Sequence, residues 1–331
     1  CKAETHAAFA DTIANLRESW NGRTAALVGK WPEGVPQAVL DLISRGVKRK
    51  VAASIAVHPP KYYALVSFLM EWMRCPAAFE AMSIYVVFQF KQDLKLFRET
   101  LDCVAPGTPE LWVPIIASEP KKGWMKAVGL GNQFIAAFKK YWGIAAIMDL
   151  GQEEYGLMLD SEISLYDLHA QAGDGKACEP GGAWTKLYSR IRAFEAQKVW
   201  PAARVSSTLA EYNFGSFKKS GKDYDLHLMR ENSRFLHLNE MDKESCTMDS
   251  CEKVWRALDK VLWSWWTDIP WLNLDVARRM FAQHENIDVK GVTSWRKVAQ
   301  GISFPRFEYV AYQMWTMLYD GWDIRDVTSI T

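Results

Sequence analysis

The sequence predicts an α/β protein built on a mostly parallel sheet flanked by helices. Short apolar or β-branched runs alternate with stretches of helical periodicity from residue 51 to residue 166. The connections between them are short, which favours parallel strands joined by right-handed helical crossovers.

Residues 1–48 read as a helical leader. Between His6 and Trp20 the chain sets Phe9, Ile13 and Leu16 on one face, and residues 36–47 repeat that pattern through Val39, Leu42 and Ile43. Residues 51–57 read as the first strand, ending in His58-Pro59-Pro60. The helix over 61–74 spaces Tyr62, Leu65, Val66, Leu69 and Met73 correctly, with Pro60 placed to open it. A second strand over 82–90 and a second helix over 92–101 follow. The third strand, 111–117, is broken by Pro114, which suits a sheet edge or a bulge. A third helix over 132–148 turns Phe134, Phe138, Tyr141, Trp142 and Ala145 inward, and residues 155–159 form the fourth strand. Beyond Tyr166 the alternation fades. Residues 170–182 are loop-like and glycine-rich, with helices expected over 184–200, 251–266, 274–283 and 307–318 and strands over 234–238 and 322–327. One domain over 49–331 is the economical reading, with halves at 49–168 and 169–331.

Composition removes several function classes. The formal net charge is +1, and Lys48-Arg49-Lys50 is the one compact basic run, so nucleic acid is not an expected partner. No apolar stretch reaches the roughly 18–20 residues that cross a bilayer. Cysteines stand at 1, 75, 103, 178, 246 and 251. No CxxC pair occurs, which disfavours a structural zinc site, while Cys246 and Cys251 are close enough to bridge. There is no Asn-x-Ser/Thr acceptor. Tryptophan is abundant, at sixteen residues; its faces fill cores and also stack on sugar rings.

The fourth strand delivers the segment that points to chemistry, Tyr155-Gly-Leu-Met-Leu-Asp160-Ser161-Glu162. A desolvated carboxylate must find a cation or donors, and acids at alternate positions of an extended chain face one side. That arrangement suits one hard divalent cation carrying a phosphate ligand; solvated strand-end acids are the plain alternative. Open parallel sheets bind ligands beyond the carboxyl ends of their strands, where Asp160 and His58 are expected. No Gly-x-Gly-x-x-Gly follows the first strand and no Walker A sequence occurs, which argues against a dinucleotide enzyme or a P-loop NTPase. Gly129-Leu-Gly131-Asn reads as the start of the third helix.

The order of parts resembles the GT-A class of nucleotide-sugar glycosyltransferases, a Rossmann-like fold with an Asp-x-Asp motif or a variant after the fourth strand. Here the variant is Asp160-Ser161-Glu162, preceded by Phe138-Lys-Lys-Tyr-Trp-Gly143. The likeness covers residues 51–166 well and the remainder loosely. It implies a donor site for a nucleotide diphosphate sugar, UDP-linked, and a glycan or glycoconjugate acceptor. By resemblance Glu162 holds Mn²⁺ or Mg²⁺, Asp160 serves the metal or the ribose beside Ser161, and His58 lies near the base. The family's final Asp is replaced here by the longer Glu162. A distal histidine completes the metal shell in this class; His227, His237 and His284 are candidates, with His237 preferred. A Golgi-type lumen and a membrane anchor upstream of Cys1 are further implications.

The residues supply their own reasons for such a site. A departing diphosphate needs positive charge in place as it develops, and carboxylate ligands suit Mn²⁺ or Mg²⁺. Lys139 and Lys140 could reach a phosphate, or form a solvated helix face. In the second half, Trp263-Ser-Trp265-Trp266-Thr-Asp268-Ile-Pro-Trp271 gathers aromatics around one acid. An acceptor sugar would stack on Trp265 or Trp266 while Asp268 takes the hydroxyl proton; Glu308 is a second candidate base. Two rival functions remain: a sugar nucleotidyltransferase, which usually has a glycine-rich loop where His58-Pro59-Pro60 stands, and a non-catalytic carbohydrate-binding or scaffold protein.

Overall fold

The computed structural model describes residues 35–117, 132–161, 181–204, 262–263, 271–302 and 308–326, with Ala7, Asp11, Leu165 and Cys178. The chain divides into two compact units, Cys1–Pro120 with Phe138–Arg190, and Lys121–Ala137 with Ile191–Thr331.

The first unit is the expected α/β alternation. Ala7 and Asp11 of the leader are helical, and α1 (Gln37–Ser44) buries Val39 and Leu42. Strand β1 (Val51–Ala56) is buried along its whole length, as a central strand covered on both faces must be. After a 3₁₀ turn at Pro59–Lys61 comes α2 (Tyr62–Arg74). It stops because Cys75 precedes Pro76, whose ring disfavours the helical region for the residue before it. Pro76 then opens the short α3 (Pro76–Ala81), which the sequence reading did not separate. Strand β2 (Met82–Phe88) leads to α4 (Lys91–Val104), where the Asp93 carboxylate accepts from the Phe90 N–H over 3.1 Å. Strand β3 (Val113–Ile116), helix α5 (Asn132–Leu150) and strand β4 (Tyr155–Asp160) complete the series. The four strands run parallel in the order β3-β2-β1-β4. Strand β3 is the edge, where Pro114 costs the least pairing.

Helix α5 is buried nearly all round from Ala137 to Met148. Gly143 lets it lie against the sheet: a Cβ there would come within 1.9 Å of Ser54 Oγ and 2.7 Å of Val87 Cγ2. Ser54, buried in β1, donates to the Lys140 carbonyl over 3.2 Å, and the Trp142 indole N–H donates to the Ile116 carbonyl. At the opposite end of the strands the basic run is absorbed structurally. Arg49 lies 4.3 Å over the Phe79 ring and donates to the Phe79 carbonyl, while Lys50 pairs with Glu154.

Helix α6 (Leu187–Gln197) and β5 (Val199–Arg204) replace the single helix expected over 184–200. Lys198 takes a left-handed conformation, φ 48°, which ends the helix and hands the chain to a strand. A second correction concerns the helix expected over 251–266. Leu262–Trp263 is strand β6, antiparallel to β5 opposite Arg204 and Ala203. In so aromatic a run periodicity cannot separate helix from strand, and cross-strand pairing decides. Strand β7 (Trp271–Asn273) leads into α7 (Leu274–His284), capped by the Asn273 side chain, which accepts from the Asp275 and Val276 N–H groups. Then come α8 (Trp295–Gly301), α9 (Glu308–Tyr319) and β8 (Asp323–Asp326), which pairs parallel with β5.

Trp200 is the centre of the second core: it stacks on Trp322 at 4.5 Å, lies 4.9 Å from Trp271, and donates to Thr316 Oγ1. Every tryptophan whose exposure is described is buried, so in these residues the aromatic excess fills cores. The expected strand at 234–238 and the Cys246–Cys251 bridge lie outside the described residues. Cys75 is bonded to Cys178, Cys103 is also disulfide-bonded, and no described cysteine is free. Such bonds are consistent with an oxidising compartment such as the secretory pathway. No helix among the described residues is long and apolar enough to cross a membrane.

Candidate functional site

Strand order defines where a ligand belongs. From β1 the chain moves to β2 and β3 on one side, then returns to place β4 on the other. Connections diverge at the β1/β4 seam, and in open α/β sheets ligands bind beyond the strands' carboxyl ends at such a point.

Five of the sequence-predicted residues, Asp160, Lys140, Lys139, His58 and Ser161, sit at that seam. Asp160, the last residue of β4, pairs in register with Ala56, the last of β1. Its side chain is 61% exposed, and its Oδ1 lies 2.7 Å from Lys140 Nζ. The Lys140 ammonium, with a smaller contribution from Lys61, holds the Asp160 carboxyl below the usual carboxylate range. Lys139 turns to the neighbouring strand and donates to the Val57 carbonyl over 2.6 Å. Successive helical residues diverge by about 100°, so the adjacent lysines straddle the seam, one at each strand end. Neither is solvated: Lys139 is 4% exposed and Lys140 7%, which overturns the reading of a solvated helix face. Burial lowers the Lys139 amine to about 8, with Asp93 opposing the shift.

His58 stands two residues after the end of β1, in extended conformation, exposed, its carbonyl accepting from the Lys61 N–H. Ser161 is buried in the turn after β4. The remaining candidates are not brought to this seam by the described residues. His284 closes α7 in the second unit, 3.2 Å from the Glu285 carboxylate. Glu308 opens α9, its side chain outside the description. Glu162, His227, His237, Trp265, Trp266 and Asp268 lie outside the described residues.

The sequence reading missed Lys61 and Glu71. Lys61 carried no signal beyond its place after two prolines. Glu71 did: an acid four positions after Ser67 interrupts an otherwise apolar helix face.

Chemically, the seam offers one exposed carboxylate and two cations shielded from water. Among the described residues no group of three metal-ligating side chains occurs. Asp160 offers a solvent-exposed carboxylate, the oxygen donor type that hard cations take, with its Oδ1 engaged by Lys140. No protein-family model, curated protein or solved structure matches the chain.

Proposed function

We propose that this chain is a glycosyltransferase of the GT-A class, moving a sugar from a UDP-linked donor to a glycan or glycoconjugate with Mn²⁺ or Mg²⁺ at the donor site. The observation that supports the reading best is the grouping of Asp160, Lys139 and Lys140 at the switch point of a parallel sheet. A diphosphate brings several negative charges, and two lysines backed by low-dielectric core attract it more strongly than exposed ones would. Asp160 and Glu162 would hold the cation, which supplies further charge for the departing diphosphate. Lys140 orients Asp160 through the 2.7 Å pair. Lys139 ties down the end of β1, from which His58 leads towards the base. The acceptor side rests on the sequence pattern around Trp265, Trp266 and Asp268, with a Golgi-type lumen as the proposed compartment.

Thermal unfolding with UDP and a panel of nucleotide sugars, with and without Mn²⁺, tests the donor site. A ligand that binds only the folded state raises the melting temperature. UDP with Mn²⁺ is expected to do so, and Asp160→Ala to abolish the rise. The absence of a shift with every nucleoside diphosphate, metal present, sinks the reading. Lys140→Met is expected to weaken UDP binding by about tenfold, the value of one charge-assisted contact.

The Lys140–Asp160 pair also favours a second reading, a binding protein that holds an anionic sugar derivative without turnover. It expects protection that survives EDTA and no hydrolysis of any nucleotide sugar.

A further inference from the structure

Helix α2 carries a carboxylate where a core helix has no use for one. Glu71 is 4% exposed, on a helix whose Leu65, Phe68, Leu69 and Trp72 are almost wholly buried. An apolar side chain would fill the place without desolvating a charge, so the acid is explained by what donates to it. The Ser67 hydroxyl, one turn earlier, donates to Oε1 over 3.4 Å. The backbone N–H of Leu165, 94 positions later, donates to Oε2 over 2.9 Å. Leu165 is itself buried. One turn further along, Cys75 closes α2 and is bonded to Cys178. The end of one helix therefore holds the chain that leaves β4 at residue 165 and again at residue 178.

The start of that segment is held by the sheet, since Asp160 pairs opposite Ala56. Positions 161–164 thus connect two anchored points, and each residue of such a link spans at most about 3.5 Å. Ser161 and Leu165 are four positions apart, so the Leu165 anchor limits how far the chain leaving Ser161 can move.

We propose that Glu71 is a positioning residue for the turn leaving β4, fixing the direction in which Asp160 and Ser161 meet a nucleoside diphosphate. The proposal rests on the donor-site reading above. It separates the chemistry at the seam from the buried hydrogen bond that sets its geometry, as outer-shell partners do for ligand side chains elsewhere.

The test uses the disulfide-intact chain and three variants, Glu71→Gln, Glu71→Leu and Glu71→Asp. UDP with Mn²⁺ is titrated calorimetrically, and amide exchange is followed over residues 155–166. Glu71→Gln keeps an oxygen acceptor for the Leu165 N–H and should bind UDP within a small factor of the parent. Glu71→Leu should weaken UDP by about tenfold or more and speed exchange at 161–165, with β1 and β2 unaffected. If Glu71→Leu does not fold, Glu71→Asp, one methylene short of Leu165, is held to the same expectation. Parental UDP affinity in a folded Leu or Asp variant overturns the proposal, because a merely structural role would lower stability and leave the affinity alone. Failure of the parent itself to bind UDP defeats the donor-site reading instead. Exchange then decides the positioning role: acceleration confined to 161–165 supports it, and unchanged exchange there overturns it.

Discussion

Lys139 shows how far a charge can be withdrawn from water when a strand end needs a donor. Its amine satisfies the Val57 carbonyl, the group left over where β1 leaves its ladder, and burial lowers it to about 8. The sign of the resulting pH dependence follows. An unfolded chain keeps the lysine proton up to its ordinary value of 10.5, whereas the folded chain releases it near 8. Between those values the unfolded state binds more protons, so the contribution of Lys139 to stability rises with pH and is complete above the unfolded value. The stability of the parent relative to Lys139→Met should therefore climb from neutral pH to about pH 10, by about 3 kcal/mol at most. Urea unfolding of both proteins at several pH values checks this; a flat difference contradicts it. The sequence offered Lys139 and Lys140 as a pair without saying whether they faced water. Two adjacent lysines on an apolar helix are read as exposed because burying them is costly, and only the carbonyl and the carboxylate that meet them explain the exception.

At the scale of elements, the approach of α5 to β1 and the double attachment of α2 to the returning chain position the seam. Gly143 is a point of close approach, with Ser54 and Val87 beneath it. In an exposed helix Gly→Ala gains about 1 kcal/mol from propensity. Here the added methyl meets atoms that cannot all withdraw, and overpacking of this kind costs about 1–3 kcal/mol. Overlap wins: Gly143→Ala should lower the melting temperature, and adding Ser54→Ala should restore part of the loss, as read by calorimetry. Full parental stability in Gly143→Ala would show that the helix and sheet are further apart. The Cys75–Cys178 bond closes a loop of sequence separation 103. Replacing both cysteines by serine should cost about 2–5 kcal/mol, measurable by chemical unfolding without reductant. Periodicity read the long helices well and located β1, β2 and β4 within a residue or two. It could not see that α6 stops at Gln197 or that Leu262–Trp263 pairs with β5, because a left-handed residue and a cross-strand partner leave no periodic trace.

For the whole molecule, six cysteines in a chain of 331 residues left the redox state open. The structure engages Cys75, Cys103 and Cys178. Iodoacetamide under denaturing, non-reducing conditions should leave these three unlabelled, and prior reduction should expose all of them to mass-spectrometric detection. Labelling of Cys75 or Cys178 before reduction would contradict the fold of the first unit. The tryptophans carry the same lesson at larger scale. Abundance suggested sugar stacking or core, and the described ones are core, around Trp200 in the second unit and Trp72 and Trp112 in the first.

By itself the sequence determined the α/β alternation, the run of strands ending at Asp160 and the residues worth inspecting at their ends. Those features depend on local periodicity and on the chemistry of single side chains, which neighbours in sequence reveal. Tertiary structure alone decided that Lys140 faces Asp160, that Lys139 caps Val57, and that Glu71 holds a backbone group 94 positions away. Each of those is a charge taken out of water for a partner distant in the chain. The energy that justifies its burial exists only once the fold has brought the two together.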